Sequence, residues 1–337
     1  MIQPDPADEA GTPTTADAAR VTTSVFHEGE QSVQRRAGAF EQAARLGPQM
    51  VQRTLDRKFA HFLASQPVIY VAASTPAAVW VSALFGTPGF AHAASPTTVR
   101  VRADLDPVDP FSAATQSGPV AVGMLVLEPM TRSRIRINGI ARRTGYGLAI
   151  ELTEAFGNCP KYIQRRHPIK LATEVSADAR TPRRGSFLDC SERLLIATAD
   201  TFIVGSRHPT RGADASHRGG RPGFVAVSDD GSGLTFPDYQ GNNMFQTLGN
   251  LTADPAIGLL LVDWNSGRTL QLAGTAEVVW NQARVAIWPG AERLVDVRIA
   301  DVVNRPDGLP LIWHLDETHR LNPKVPHRGS SFAPPDE

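Results

Sequence analysis

The stretch Asp214 to Val227, DASHRGGRPGFVAV, sets His217, Arg218 and Arg221 among three glycines just ahead of an apolar run. A hairpin entrance asks only for a turn, so the cations call for another reason. Arginine gives charge-assisted and often bidentate bonds to a phosphate, and free backbone N–H groups add neutral donors. A second stretch, PDYQGNNMFQTLGN from Pro237, offers Asn242 and Asn243 as caps for a helical turn in which Phe245 and Leu248 stand three apart. The alternative for both stretches is a solvated loop with an ordinary capped turn. A third stretch, GNCPKYIQRRHP from Gly157, carries Lys161, Gln164 and Arg165, and it reads either as a further cation source or as a solvated basic cluster. His27, Glu28 and Glu30 in FHEGE lack the spacing of a zinc pair on one helix face and read instead as the acidic first turn of a helix, so no metal is expected.

The elements that must position these groups are mostly strands. The chain has 337 residues, 42% of them hydrophobic, enough for a sizeable core. Its 34 basic and 34 acidic side chains cancel, so no global field favours nucleic acid or an anionic membrane, and any anion site must be local. Two cysteines, Cys159 and Cys190, are too few for a disulfide framework, and the N-terminal residues lack the basic and apolar regions of a signal peptide. A cytoplasmic setting is expected. Residues 1–25, rich in Pro, Ala, Thr and Asp, read as disordered. Residues 26–65 read as two helices, broken at Gly47 and Pro48, with Val51, Leu55, Phe59 and Phe62 or Leu63 at helical spacing. Gln66 to Val99 contains no Asp, Glu, Lys or Arg. Pro76, Gly86, Pro88 and Gly89 interrupt it, so it reads as the strands PVIYVAAS and VWVSALFG joined by TPAA and not as a membrane span.

The β-rich remainder compares with itself. GMLVLEPMTRSRIRINGIA from Gly123 lies beside GLLLVDWNSGRTLQLAGTA from Gly258, 135 residues on, and SALFGTPGF from Ser82 lies beside SHRGGRPGF from Ser216, 134 residues on. Two separated blocks that agree within one residue point to two copies of one β module. The copies control for each other. Gly86 and Gly89 answer Gly220 and Gly223, so those glycines belong to the fold, whereas His217, Arg218 and Arg221 have no counterparts.

Taken together, FHEGEQSVQ (Phe26 to Gln34), GNCPKYIQ, ASHRGGRPGFV and PDYQGNNMFQTLGNL resemble the flavin-nucleotide-binding proteins related to pyridoxamine 5'-phosphate oxidase, over most of residues 26–282. The resemblance implies a mainly β fold with flanking helices (α+β): the split barrel, a six-stranded antiparallel Greek key, here as a tandem pair forming a pseudo-dimer within one chain. It implies FMN held where the two barrels meet. The strand after Arg221 and Pro222 then matches the family strand under the flavin, LTFPDY, ending at Tyr239, matches the strand beside the ring system, and Asn242 with Asn243 falls where related barrels hold the phosphate with Ser and Lys. Asn brings no charge, which leaves Arg218, Arg221 or Lys161 to neutralise the phosphate. Ser216, His217, Arg218, Arg221, Tyr239, Asn242, Asn243, Lys161, Gln164 and Arg165 are thus the candidate cofactor-binding residues.

The expected organisation is a helical segment 26–65, a first barrel 66–156 with a degenerate site, a linker 157–191, a second barrel 192–303 with the phosphate motif, and a tail 304–337. The expected function is an FMN-dependent oxidoreductase acting on a small molecule, with NADH or NADPH as a candidate electron donor, as a monomeric pseudo-dimer or a homodimer. No side chain is singled out as a catalytic acid or base, since a flavin carries the redox chemistry. Pyridoxamine phosphate oxidase activity itself is not expected, because LIWHLDETHRLNPKVP offers only a loose likeness to the substrate-binding Arg and His of that enzyme. Two alternatives stand beside this reading: a haem-binding or haem-degrading split barrel with His217 or His208 as axial ligand, and a flavin carrier without turnover. Trp264 is a further candidate to flank a flavin ring, against a packing role.

Overall fold

The computed structural model describes residues 24–171 and 181–325. All but the last two residues of the stretch expected to be disordered fall outside it. Three helices open the described chain, α1 (Glu28–Arg36), α2 (Phe40–Met50) and α3 (Arg57–Ser65). The expected break at Gly47 and Pro48 does not occur: α2 runs through Pro48 to Met50, and the new helix begins only where Asp56 accepts from the Phe59 N–H at 2.7 Å. Proline in the last turn forgoes a single backbone bond, and the true start signal is the aspartate cap.

Seven strands and a helix follow: β1 (Val68–Ser74), β2 (Val79–Phe85), β3 (Ala91–Ser95), β4 (Thr98–Arg102), α4 (Pro110–Gln116), β5 (Val120–Glu128), β6 (Ser133–Thr144) and β7 (Gly147–Gly157). They form one antiparallel sheet in the order β2-β1-β5-β6-β7-β4-β3. After β8 (Arg165–Leu171), β9 (Arg183–Gly185) and α5 (Cys190–Thr198), a second sheet is built from β10 (Thr201–His208), β11 (Gly212–Gly219), β12 (Ala226–Val227), β13 (Gly233–Tyr239), α6 (Gln246–Ala253), β14 (Ala256–Val262), β15 (Thr269–Val279), α7 (Gln282–Val285) and β16 (Ala291–Arg305). Its order, β11-β10-β14-β15-β16-β13-β12, is the same arrangement strand for strand. Each path has seven strands where six were expected, because the short strands β3 and β12 pair at one edge. Part of the expected tail is also a strand: β17 (Leu311–Glu317) pairs with β8 from the linker.

The uncharged run that resembled a membrane span is explained by burial on both faces. Along β1, Ile69, Val71 and Ala73 enter the core of their own sheet, while Val68, Tyr70 and Ala72 enter a core shared with the other. Strand β14 does the same, with Ile257, Leu259 and Leu261 inward and Ala256, Leu260 and Val262 in the shared core. A strand with no wet face carries no alternation. No helix among the described residues is long and apolar enough to cross a membrane.

Glycines set how closely the sheets meet. A Cβ on Gly123 of β5 would lie 2.4 Å from the Asp214 backbone of β11, and one on Gly258 of β14 would lie 2.5 Å from the Val79 carbonyl of β2. Each sheet thus presses a glycine against the other's edge hairpin, and a larger residue at either place would force the backbones apart.

Candidate functional site

An open pocket lies where the sheets meet. Strand β11 supplies Ser216, His217 and Arg218, so His217 and Arg218 lie within a strand, whereas Arg221 lies in the turn after it. Strand β13 supplies Asp238 and Tyr239, the following loop Asn242 and Asn243, and the first turn of α6 Gln246 and Thr247. The linker adds Asn158, Cys159, Lys161 and Tyr162. Across the interface, β6 of the first sheet adds Arg134 and Arg136. Four cations and one carboxylate line this space.

The ion pairs are uneven. Arg136 Nε donates to Asp214 Oδ1 at 2.9 Å, its Nη2 pairs with the other carboxylate oxygen, and its guanidinium covers the Phe156 ring at 4.9 Å. Arg218 Nη1 donates to Asp238 Oδ1 at 2.8 Å, but Asp238 also accepts from Arg293 at 3.0 Å. Arg134 has no carboxylate partner among the described residues; its Nη1 donates to His217 Nδ1 at 3.0 Å. Burial and then the charge of Arg136 pull Arg134 down to about 9, so it stays cationic near neutral pH. A half-buried guanidinium without a counter-ion is costly. The Nε of Arg134, the Nε2 of His217 and the Nε of Arg218 are all sealed from solvent without a partner. Three orphaned nitrogens among the residues lining one pocket fit an anionic ligand.

His217 can be assigned a protonation state. Burial first, then Arg134 and Arg218, hold its pKa well below the ordinary value, so the ring is neutral. A guanidinium only donates, so Nδ1 is the acceptor and Nε2 carries the hydrogen. An axial haem ligand needs the opposite arrangement, with an unprotonated nitrogen facing the iron. His208 lies elsewhere: its Nε2 meets Glu28 at 2.9 Å and its Nδ1 accepts from the Thr210 N–H at 3.2 Å.

The loop before α6 is wound tightly. Asn243 (φ 62°) and Phe245 (φ 61°) both take the left-handed conformation. Neither asparagine caps the helix, as had been expected: Phe245 is the N-cap and gives no side-chain bond, while Asn242 Oδ1 accepts from the Met244 N–H at 3.1 Å and its Nδ2 donates to Asn158 at 2.7 Å. The first N–H groups of α6 therefore face the pocket free of any side-chain cap. The N-terminal helices hold this loop from outside. Buried Gln34 donates to the Met244 carbonyl at 3.0 Å, and Asn243 donates to Gln42 at 3.1 Å.

Of the ten candidate residues, Lys161, Ser216, His217, Arg218, Tyr239, Asn242 and Asn243 line this pocket. Three do not. Arg221 sits in the turn closed by the Phe224 N–H and donates outward to the Asn322 carbonyl at 3.3 Å. Gln164 is a buried clip whose amide donates to the carbonyls of Tyr162, Asp200 and Gly220. Arg165 is exposed at the start of β8. Trp264 is also elsewhere, edge-on to Trp313 at 6.0 Å. Arg134 and Arg136 were missed, although Thr269 and Gln271 at their repeat positions carry no charge and mark the same kind of departure that singled out His217.

Two antiparallel sheets of one topology thus meet at a cationic pocket. Residues 192–308, the second sheet with its helices, match the family model described as Pyridoxamine 5'-phosphate oxidase. No curated protein matches the chain. Among solved structures, Group A Streptococcus HupZ is similar at 15% identity and a TM-score of 0.30, over 36% of this chain and 98% of that one. A FAD-binding protein from Mesorhizobium loti is similar at 15% identity and a TM-score of 0.25, over 37% and 97%. A Clostridium acetobutylicum protein related to general stress protein 26 is similar at 15% identity and a TM-score of 0.26, over 36% and 89%.

Proposed function

We propose that the protein is an FMN-binding oxidoreductase: a tandem pair of split barrels that forms a pseudo-dimer within one chain and takes one flavin in the pocket between them. The observation that carries this reading is the uncompensated Arg134 with the orphaned nitrogens of Arg134, His217 and Arg218 among the residues that line one pocket. A flavin nucleotide joins a doubly charged phosphate to a broad apolar ring, and the lining offers both kinds of partner. Arg134, Arg136, Arg218, Lys161 and the first turn of α6 would hold the anionic end, with Asn242 and Ser216 as neutral donors. Phe224, Phe245 and Leu248 supply apolar surface for the ring, as do Tyr162 and Tyr239, whose rings stand 5.3 Å apart.

The bound flavin would supply the electron transfer. The protein's part is to bind, orient and shield. Tyr162 and Tyr239 have pKa values raised mainly by burial, so both stay protonated as donors at neutral pH. His217, neutral with its hydrogen on Nε2, is likewise a fixed donor. Haem is disfavoured because Arg134 occupies the wrong nitrogen of His217 and His208 faces Glu28.

The test is the absorption spectrum and mass of whatever co-purifies, followed by anaerobic addition of NADH or NADPH. One FMN per chain, reduced on addition, supports the reading. A Soret band overturns it, and FMN that stays oxidised leaves a carrier in place of an oxidoreductase.

A further inference from the structure

The pocket has a counterpart across the interface, and that counterpart is filled by the chain itself. Ser82 of β2 stands where Ser216 stands in β11, and Gln271 of β15 stands where Arg136 stands in β6. Asp109, the N-cap of α4, corresponds to Phe245, the N-cap of α6; Asp106 and Asn242 each lie three residues earlier. Arg305 ends β16 one residue beyond the partner of Leu270, as Asn158 follows the partner of Ile135.

Donors converge on the buried Asp109 carboxylate from both sheets. Its Oδ1 accepts from Ser82 Oγ at 2.6 Å, from Gln271 Nε2 at 3.1 Å and from the Phe111 N–H at 2.9 Å. Its Oδ2 accepts from Arg305 Nη1 at 2.8 Å, and Arg305 also pairs with Asp106. Ser82 and Gln271 are almost wholly buried. A helix cap needs only the helix's own N–H groups. Here three further donors come from β2, β15 and β16, whose combination makes sense only around an anion.

We propose that this is a second anion-binding site with a built-in occupant: Asp109 fills it as an internal ligand, and without that carboxylate the shell of Ser82, Gln271 and Arg305 binds a small carboxylate from solution. The site explains physically why the two halves of one interface behave differently. The half whose cations outnumber its carboxylates is open, and the half whose shell closes on Asp109 is shut. The proposal does not rest on the flavin reading, because its ligand shell is separate from the pocket.

The experiment measures thermal unfolding of full-length wild type, Asp109→Ala and Asp109→Ala with Gln271→Leu across a formate titration, with chloride holding ionic strength constant. Asp109→Ala should melt several degrees lower than wild type, and formate should raise its midpoint saturably, beyond any shift in wild type. That extra shift should vanish in the double variant. A formate response equal to that of wild type overturns the proposal. Should Asp109→Ala fail to fold, Asp109→Asn keeps the shape and the cap without the charge. Its midpoint should fall and stay unrestored by formate, since the amide still fills the site. A midpoint equal to that of wild type overturns the proposal.

Discussion

Arg134 of the first sheet donates to His217 Nδ1 of the second at 3.0 Å, and this bond fixes which nitrogen of the imidazole carries its hydrogen. It also places a cation where no carboxylate among the described residues balances it. Replacing Arg134 by Met, which keeps most of the apolar stem, removes both the charge and the donor. A bond to a charged group is worth about 1.5–3 kcal/mol, so FMN affinity should fall about 10- to 100-fold. The ligand-free protein should be no less stable than wild type, since a half-buried unpaired charge has been removed. Fluorescence titration of FMN and urea unfolding of the apoprotein check the two halves; a large loss of apoprotein stability would show that Arg134 serves the fold.

Arg221 and Arg165 provide the contrasting case. Both were candidates for the phosphate, and neither reaches the pocket. Arg221→Ala should change FMN affinity by no more than about twofold, the range of surface substitutions. Arg218→Ala should cost considerably more, since Arg218 lines the pocket and its Nε has no partner. Equal effects from the two variants would mean that the turn at Arg221 closes onto the ligand.

Much of this arrangement is legible in the residue pattern, for local reasons. Gly86 and Gly220 stand at equivalent turns, and a Cβ on either would strike Phe90 or Phe224 four residues on. Such a constraint is written within a few residues. Arg134 and Arg136 were harder to read because SRIRING alternates as any half-wet strand does, and only the packing of one sheet on the other turns that face into a wall. Arg221 misled for the same reason: its closeness in sequence to Arg218 carries no information about which way a turn after the strand points. FHEGEQSVQ contributed to the family resemblance, but the role of the N-terminal helices was not legible, since the bond from Gln34 to the Met244 carbonyl spans 210 residues.

The buried acids behind α6 predict a pH dependence of stability. Burial pushes the Glu30 carboxyl up to about 8, against about 4.3 in an unfolded chain. Between those values the folded protein holds a proton that the unfolded chain has released, so stability falls as pH rises. Burial, and then His208, lower His27 to about 4. Between there and about 6.5 the unfolded chain holds the extra proton, so His27 contributes in the opposite sense. The two oppose each other at mildly acidic pH. Above about pH 6.5 only the Glu30 carboxyl remains. Unfolding free energy should therefore decline from about pH 6.5 to 8, and Glu30→Gln, which can still accept from the His27 N–H, should flatten most of that decline. An unchanged slope in the variant would remove Glu30 from the account.

The two interface glycines separate stability from binding. Gly123→Ala places a methyl 2.4 Å from the Asp214 backbone, and Gly258→Ala places one 2.5 Å from the Val79 carbonyl. Backbone cannot swing aside as a side chain can, so each variant should lose about 1–3 kcal/mol to overpacking, a fall of several degrees in the unfolding midpoint. Their effects on FMN should differ. Asp214 holds Arg136 through Nε at 2.9 Å, so displacing β11 moves a pocket cation, and Gly123→Ala should weaken FMN binding as well as the fold. Val79 lies in the hairpin of the shut half, beyond the pocket lining. Gly258→Ala should lose comparable stability and keep its FMN affinity, measured well below its melting temperature. If both variants lost affinity equally, the pocket would depend on the spacing of the whole interface and not on the anchoring of Arg136 by Asp214.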